Sequence, residues 1–406
     1  MVAFTAGRAR GQTCVILGDD FWRNVIHPNV KFLRTVGTMI GAIVGVGVFG
    51  LPYAFAQSGF IVGALWLVVM AVLLTIMQLM YAEVCVQTDG DHRVVGHVTE
   101  YLGKRWRPWA LAAMAGTLWG AMLAYLIVGG HFLYVLFSPA FGGPEELYAL
   151  ALGAVVSVFV YRGLAFVSKI EVWIVAALLF LFVFMTLAAL PHAQIENLIV
   201  HPTWDNVFVP FGIVLFSLAG IGVVPEMKMV LGRKQEKQLP HAVLLGMVII
   251  AVMYLLFGAV VVAATGGNTT QIAFDGLVPL LGGAFATVAS ILGALTVFSI
   301  YMVLGIELQN TLHFDIRLSK WSSFTLAMAV PIVLYLFGMR SFIDVLSVVG
   351  GVFAAFLGIL IVLVYERMKR SPVCSKPHKC LDVPAVVGWV LIAVFVFSII
   401  IQLVFV

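Results

Sequence analysis

The chain is a succession of long apolar runs separated by short polar stretches. Eleven runs stand out, at residues 35–57, 60–87, 108–137, 147–163, 168–190, 206–231, 240–264, 277–312, 321–338, 342–366 and 384–405. Most reach the roughly 20 apolar residues that a helix needs to cross the hydrocarbon core of a bilayer. The pattern predicts an all-α integral membrane protein with eleven transmembrane helices. The eighth run is long enough to protrude into water.

Composition agrees. Hydrophobic residues make up 62% of the 406 residues and charged residues 10%, whereas a soluble domain is about half apolar and a quarter charged. A polytopic membrane protein is the ordinary class that fits. No apolar core precedes Thr35, so no cleavable signal peptide is expected.

Charge placement orients the chain. With the N-terminus in the cytoplasm and the spans alternating, 22 of the 23 Lys and Arg fall on the inner side; Arg340 is the exception. Basic residues collect on the cytoplasmic side of membrane proteins, and one missed span would scramble the pattern. The C-terminus is then expected on the opposite side. Cys14, Cys85, Cys374 and Cys380 all fall on the reducing side, where disulfides are not expected. Cys374, His378 and Cys380 match no standard zinc spacing, so no metal site is read there.

The first run contains "GAIVGVGVFGLPYAF", with Gly at 41, 45, 47 and 50 and Pro at 52. Gly costs about 1 kcal/mol and Pro about 3 kcal/mol in a helix interior. Irregular backbone at membrane depth persists only when buried in protein or facing a wet cavity. Gly41-x-x-x-Gly45 alone also reads as a helix-packing pattern. The sixth run repeats the signature in "FGIVLFSLAGIGVVPEM", with Gly220, Gly222 and Pro225. Paired interruptions in corresponding positions of two halves point to a transporter's binding site. Five spans per half invert the second half relative to the first. The expected architecture is a five-plus-five inverted-repeat transporter fold with helices 1 and 6 broken. Its parts are an N-terminal segment (1–34), a first repeat (35–190), a second repeat (206–366), a cytoplasmic loop (367–383) and an added eleventh helix (384–406).

A broken helix exposes N–H groups at the start of one half and C=O groups at the end of the other, one electropositive and one electronegative. A small zwitterion with a carboxylate beside an ammonium fits between them, so an amino acid is the expected ligand.

The stretch "GTMIGAIVGVGVFGLPYAFAQSGF" (37–60), with "SKIEVWIV" (168–175), "PFGIVLFSLAGIGVVPEM" (210–227) and "GIELQNTLHFDI" (305–316), resembles permeases of the amino acid/polyamine/organocation superfamily. The nearest branches are the amino acid/auxin permeases and the bacterial tryptophan/tyrosine permeases. The resemblance implies that Ile43, Val44, Gly45 and Gly47 surround a substrate carboxylate. It implies that Phe216, Ser217, Ala219 and Gly220 line the opposite side, with Phe216 as an aromatic lid. Tyr125 resembles a substrate-facing aromatic; helix packing is the alternative for both rings.

Relatives couple to sodium or to protons. A sodium site would draw on carbonyls near Gly41 and Val44 and on hydroxyls of the eighth run, where Thr296 and Ser299 lie three apart; sodium-coupled relatives have an adjacent pair. The lysine some proton-coupled relatives carry within the fifth span has no counterpart here, since Lys169 stands at the cytoplasmic start beside Glu171. Ionisable residues at depth are functional candidates by default. Here they are Glu83, His131, Glu226 and Glu307, with His131 suited to proton exchange. Glu83 and Glu226 are candidate inner-gate residues, with Lys228 or Arg93 as partners. Arg340 and Asp344, four apart, are expected to pair locally.

These features predict a secondary amino acid transporter working by alternating access, with proton favoured over sodium. A membrane-embedded sensor binding the same ligand without flux is the alternative. The chain carries no phosphate-binding loop of the G-x-x-x-x-G-K-[ST] type. It shows no nucleophile with a base and no His/Glu metal cluster, so neither an enzyme nor a cofactor is expected. The partners expected are a small amino acid and the lipid bilayer.

Overall fold

The computed structural model describes residues 19–90, 92–162, 167–199, 206–220, 222–371 and 381–405. Cys14, Cys374, His378 and Cys380, and the side chains of Lys169 and Glu171, lie outside the described residues. Every regular element among the described residues is helical, as a lipid-embedded backbone requires, because each N–H and C=O must find its partner within the segment.

An amphipathic helix α1 (Asp19–Ile26) precedes α2 (Val30–Ile43), α3 (Gly47–Ser58), α4 (Phe60–Gln87) and the short α5 (Val94–Leu102). Then come α6 (Arg107–Phe141), α7 (Glu145–Arg162), α8 (Val167–Ala189), α9 (Val209–Leu218) and α10 (Val223–Leu231). The chain continues through α11 (Leu239–Thr265), α12 (Ala273–Asn310), α13 (Lys320–Leu336), α14 (Phe342–Val348), α15 (Ala355–Lys369) and α16 (Ala385–Phe405). Seven helices among the described residues are long and apolar enough to cross a membrane. Counting the bent pair α2 and α3 as one span makes eight.

Every apolar run of the sequence carries helix. Hydroxyls inside these helices are absorbed locally: those of Thr35, Ser58, Thr75, Ser157, Thr186 and Thr265 each donate to the carbonyl four residues back.

Four runs differ from uniform helix, among them the sixth, which breaks between α9 and α10. The first bends by 62° between α2 and α3. In α12 the backbone leaves helical geometry at Gly282, where φ is +81°. This separates a short first piece beginning at Ala273 from the long second piece. The tenth run passes through a π-helical stretch at Val349–Ala354 between α14 and α15. There the backbone of α9, at Gly212 and Phe216, presses on Gly350, and Gln402 of α16 presses on Gly351. Wide turns of this kind recur where functional backbone approaches.

The two interrupted runs form the centre. Helix α3 packs on α9, and α2 packs on α10 and α11. Helices α4, α6, α12 and α14 close around them.

Candidate functional site

Helix α2 ends at Val44, which takes extended backbone (φ −73°, ψ 104°). Helix α9 ends in the same way at Ala219 (φ −74°, ψ 107°). The chain resumes helix at Gly47 and Val223. Each interruption sits against the other. The side chain of Ile43 lies on Gly220, where a Cβ would collide with it. A Cβ on Gly47 would stand 2.6 Å from the Oγ of Ser217 and 3.0 Å from the ring of Phe216. Packing and site are therefore one arrangement: the glycines let two irregular backbones meet. Ile43, Val44, Gly45, Gly47, Ser217 and Gly220 are buried there, with Phe216 and Ala219 half-buried.

Two tyrosines hold the exposed main chain. Tyr125, from α6, lies over Gly45, and its hydroxyl accepts from the N–H of Val46 at 3.3 Å. Tyr254, from α11, places its hydroxyl 3.2 Å from the carbonyl oxygen of Ile43 and 3.1 Å from that of Ser217. Both phenols are buried. The first sits at the N–H end that opens α3. The second sits where the C=O ends of α2 and α9 converge. The two poles expected for a zwitterion therefore face different phenols.

Beside the N–H pole is a small cavity lined by Val46, Phe49, Tyr125, Leu178, Leu181, Gly293, Thr296 and Val297. Its walls are mostly apolar. Thr296 donates to the carbonyl of Leu292 at 2.8 Å. Ser299, one turn on, is half-buried and does not line this cavity, and Gly41 lies in the last turn of α2.

Gln78 of α4 also faces the crossing, although it carries no charge to mark it in the sequence. It is fully buried, and neither its Oε1 nor its Nε2 has a hydrogen-bond partner. Its Nε2 lies 3.5 Å from the Cβ position of Gly220. Tyr254 is equally silent in the local sequence. A lone phenol in an apolar run needs a polar partner, but its partners are main-chain atoms far away in sequence.

The remaining candidates lie away from the crossing. His131 is held between two carboxylates, Nε2 at 2.6 Å from Asp275 and Nδ1 at 3.1 Å from Glu145. This cluster joins α6, α7 and the first piece of α12, ahead of Gly282. Glu83 is buried and accepts from Gln87 at 2.8 Å. Glu226 and Arg93 are within electrostatic reach of Glu307. Lys228 donates to the carbonyls of Cys85 at 2.5 Å and Thr88 at 3.2 Å, serving the C-terminal end of α4, where helices favour cations. Arg340 does not pair with Asp344. It bonds Glu146 of α7 at 2.6 Å. The reason is local: Arg340 precedes α14, so helical i,i+4 spacing does not apply, and the N–H of Asp344 is taken by Ser341.

Outside the spans, His97 of α5 contacts the Tyr81 hydroxyl at 3.2 Å. Burial, with His92 and Lys228 nearby, pushes its imidazole down to about 4.

Curated relatives align along most of the chain. It is 24% identical over 371 residues to the tyrosine-specific transport system 1 of Haemophilus influenzae, covering 85% of this chain and 91% of the relative. It is 22% identical to glutamine transporter 2 of Aliivibrio fischeri, covering 87% and 93%. It is 23% identical to the amino acid transporter AVT3B of Arabidopsis thaliana, covering 93% of each. The tryptophan/tyrosine permease model matches residues 29–405. The chain therefore belongs to the tryptophan/tyrosine permease family, a family of transporters and not of enzymes.

Proposed function

We propose that the protein is a secondary amino acid transporter whose substrate head group binds where the two interrupted helices cross. The observation that carries this reading is the mutual contact of the breaks, Ile43 on Gly220 and Ser217 on Gly47. That contact brings N–H and C=O ends together, held by neutral phenols and without a charged side chain. The carboxylate would go to the N–H groups of Val46 and Gly47. The ammonium would go to the carbonyls of Ile43 and Ser217. The small cavity beside Tyr125 would have to widen to take the side chain, and its mostly apolar walls favour an apolar one. The names of the relatives, which include a tyrosine system and a glutamine transporter, support the substrate class.

A five-plus-five inverted repeat with eleven crossings accounts for the packing. Counting spans, the first packs on the sixth (α3 on α9), the second on the seventh (α4 on α11), the third on the eighth (α6 on α12) and the fourth on the ninth (α7 on α13). Alternating access would rock one repeat against the other. The distribution of Lys and Arg supports a cytoplasmic N-terminus.

Proton coupling is favoured over sodium because His131, between Glu145 and Asp275, supplies a titratable cluster on one side of the protein. Proteoliposome uptake of labelled amino acids, with and without sodium and with and without an inward proton gradient, tests the reading. Saturable counterflow with acid-driven, sodium-independent accumulation is expected. Binding without flux would favour a sensor, and sodium dependence would move the ion site toward Gly41, Val44 and Thr296.

A further inference from the structure

We propose that Tyr125 and Tyr254 together stand in for the substrate head group, so that the unloaded carrier closes and reorients and the protein carries out net transport rather than obligate exchange. The inference rests on the reading of the crossing as the amino acid seat.

The two hydroxyls occupy opposite poles in opposite roles. Tyr125 accepts from the Val46 N–H, where a carboxylate oxygen would accept. Tyr254 donates toward the Ile43 and Ser217 carbonyls, where an ammonium would donate. Neither tyrosine belongs to an interrupted helix; they reach in from α6 and α11. A main-chain group left unpaired in a dry interior costs several kcal/mol, so an empty seat without them would resist closure. With them, the Val46 N–H and the Ile43 and Ser217 carbonyls keep partners when the unloaded protein closes.

The stand-ins are also weaker than the ligand. The single phenolic proton of Tyr254 is divided between two carbonyls, whereas an ammonium brings three protons and a full charge. Tyr125 offers a neutral oxygen where a carboxylate offers a charged pair. Bonds to ionised groups are roughly twice as strong as neutral ones, so the substrate displaces both hydroxyls. Its affinity is lowered only by what those bonds contribute.

The test compares net uptake into empty proteoliposomes with exchange into preloaded ones, using purified full-length protein and a mixture of labelled protein amino acids. Tyr254→Phe and Tyr125→Phe remove only the oxygens. Each is expected to lower the ratio of net uptake to exchange about tenfold, the value of one buried hydrogen bond. Tyr301→Phe is the control, because its buried phenol has no partner, and it should leave the ratio unchanged. Monodisperse elution from size exclusion shows that each variant is folded. An unchanged ratio in both folded variants, or wild-type protein that exchanges without net uptake, overturns the proposal. Wild-type protein that neither exchanges nor takes up any amino acid overturns the seat itself.

Discussion

The Oγ of Ser217 stands 2.6 Å from the point where a Cβ on Gly47 would lie. Adding that methyl forces the two interrupted helices apart, and overpacking costs about 1–3 kcal/mol. Gly47→Ala is expected to lower amino acid uptake at least about tenfold, since roughly 1.4 kcal/mol is a factor of ten. Combining it with Ser217→Gly should restore part of the activity. Uptake by Gly47→Ala at the wild-type rate would mean that the contact is dispensable.

Ala219 is the half-buried residue that ends α9, next to Gly220. Ala219→Phe adds an aromatic ring at the edge of the seat. The range of amino acids that compete for uptake should narrow, with bulky side chains lost first. Competition profiles matching those of the wild type would show that Ala219 faces away from the ligand.

Gln78 leaves two buried polar atoms unpaired, and each such atom costs about 1–3 kcal/mol. Gln78→Met keeps the side-chain length and removes that cost. Thermal unfolding in detergent should shift upward by the equivalent of about 1 kcal/mol or more. A lower melting temperature would show that the amide is satisfied.

His97 is buried as the neutral form, with its imidazole held at about 4 against about 6.5 in an unfolded chain. The depressed value means that the unfolded chain binds the extra proton first. Stability from this group is complete above about pH 6.5 and is lost as pH falls through about 4. A melting series from pH 7 to pH 4 should show wild-type protein losing stability more steeply than His97→Leu. Parallel curves would rule out His97 as the cause.

His131 lies between Asp275 and Glu145. In His131→Gln the amide keeps a hydrogen bond but cannot ionise. Acid-driven accumulation should fall while counterflow of the same amino acid continues. Equal loss of both would give His131 a structural role only.

Much of this arrangement was legible in the sequence because membranes impose a simple rule on hydropathy. The apolar runs foretell the helices, and paired glycines at 45, 47, 220 and 222 foretell the interruptions. Less legible was what depends on partners distant in sequence. Tyr254 meets Ile43 and Ser217 from 211 and 37 residues away. The π-helical stretch at Val349–Ala354 arises from the approach of α9, which no local pattern announces. Asp275 and Glu145 read as loop acids, and only the fold brings them to His131. Arg340 satisfied a helical spacing rule just outside the helix to which the rule applies.

The most direct test of the crossing as the binding site is a structure of the protein saturated with a transported amino acid, determined by electron microscopy. The account predicts ligand density between residues 44–47 and 216–220. The carboxylate should lie on the N–H groups of Val46 and Gly47, and the Tyr254 hydroxyl should have moved off the Ile43 and Ser217 carbonyls. Density elsewhere, with both tyrosines still seated on the main chain, would contradict it.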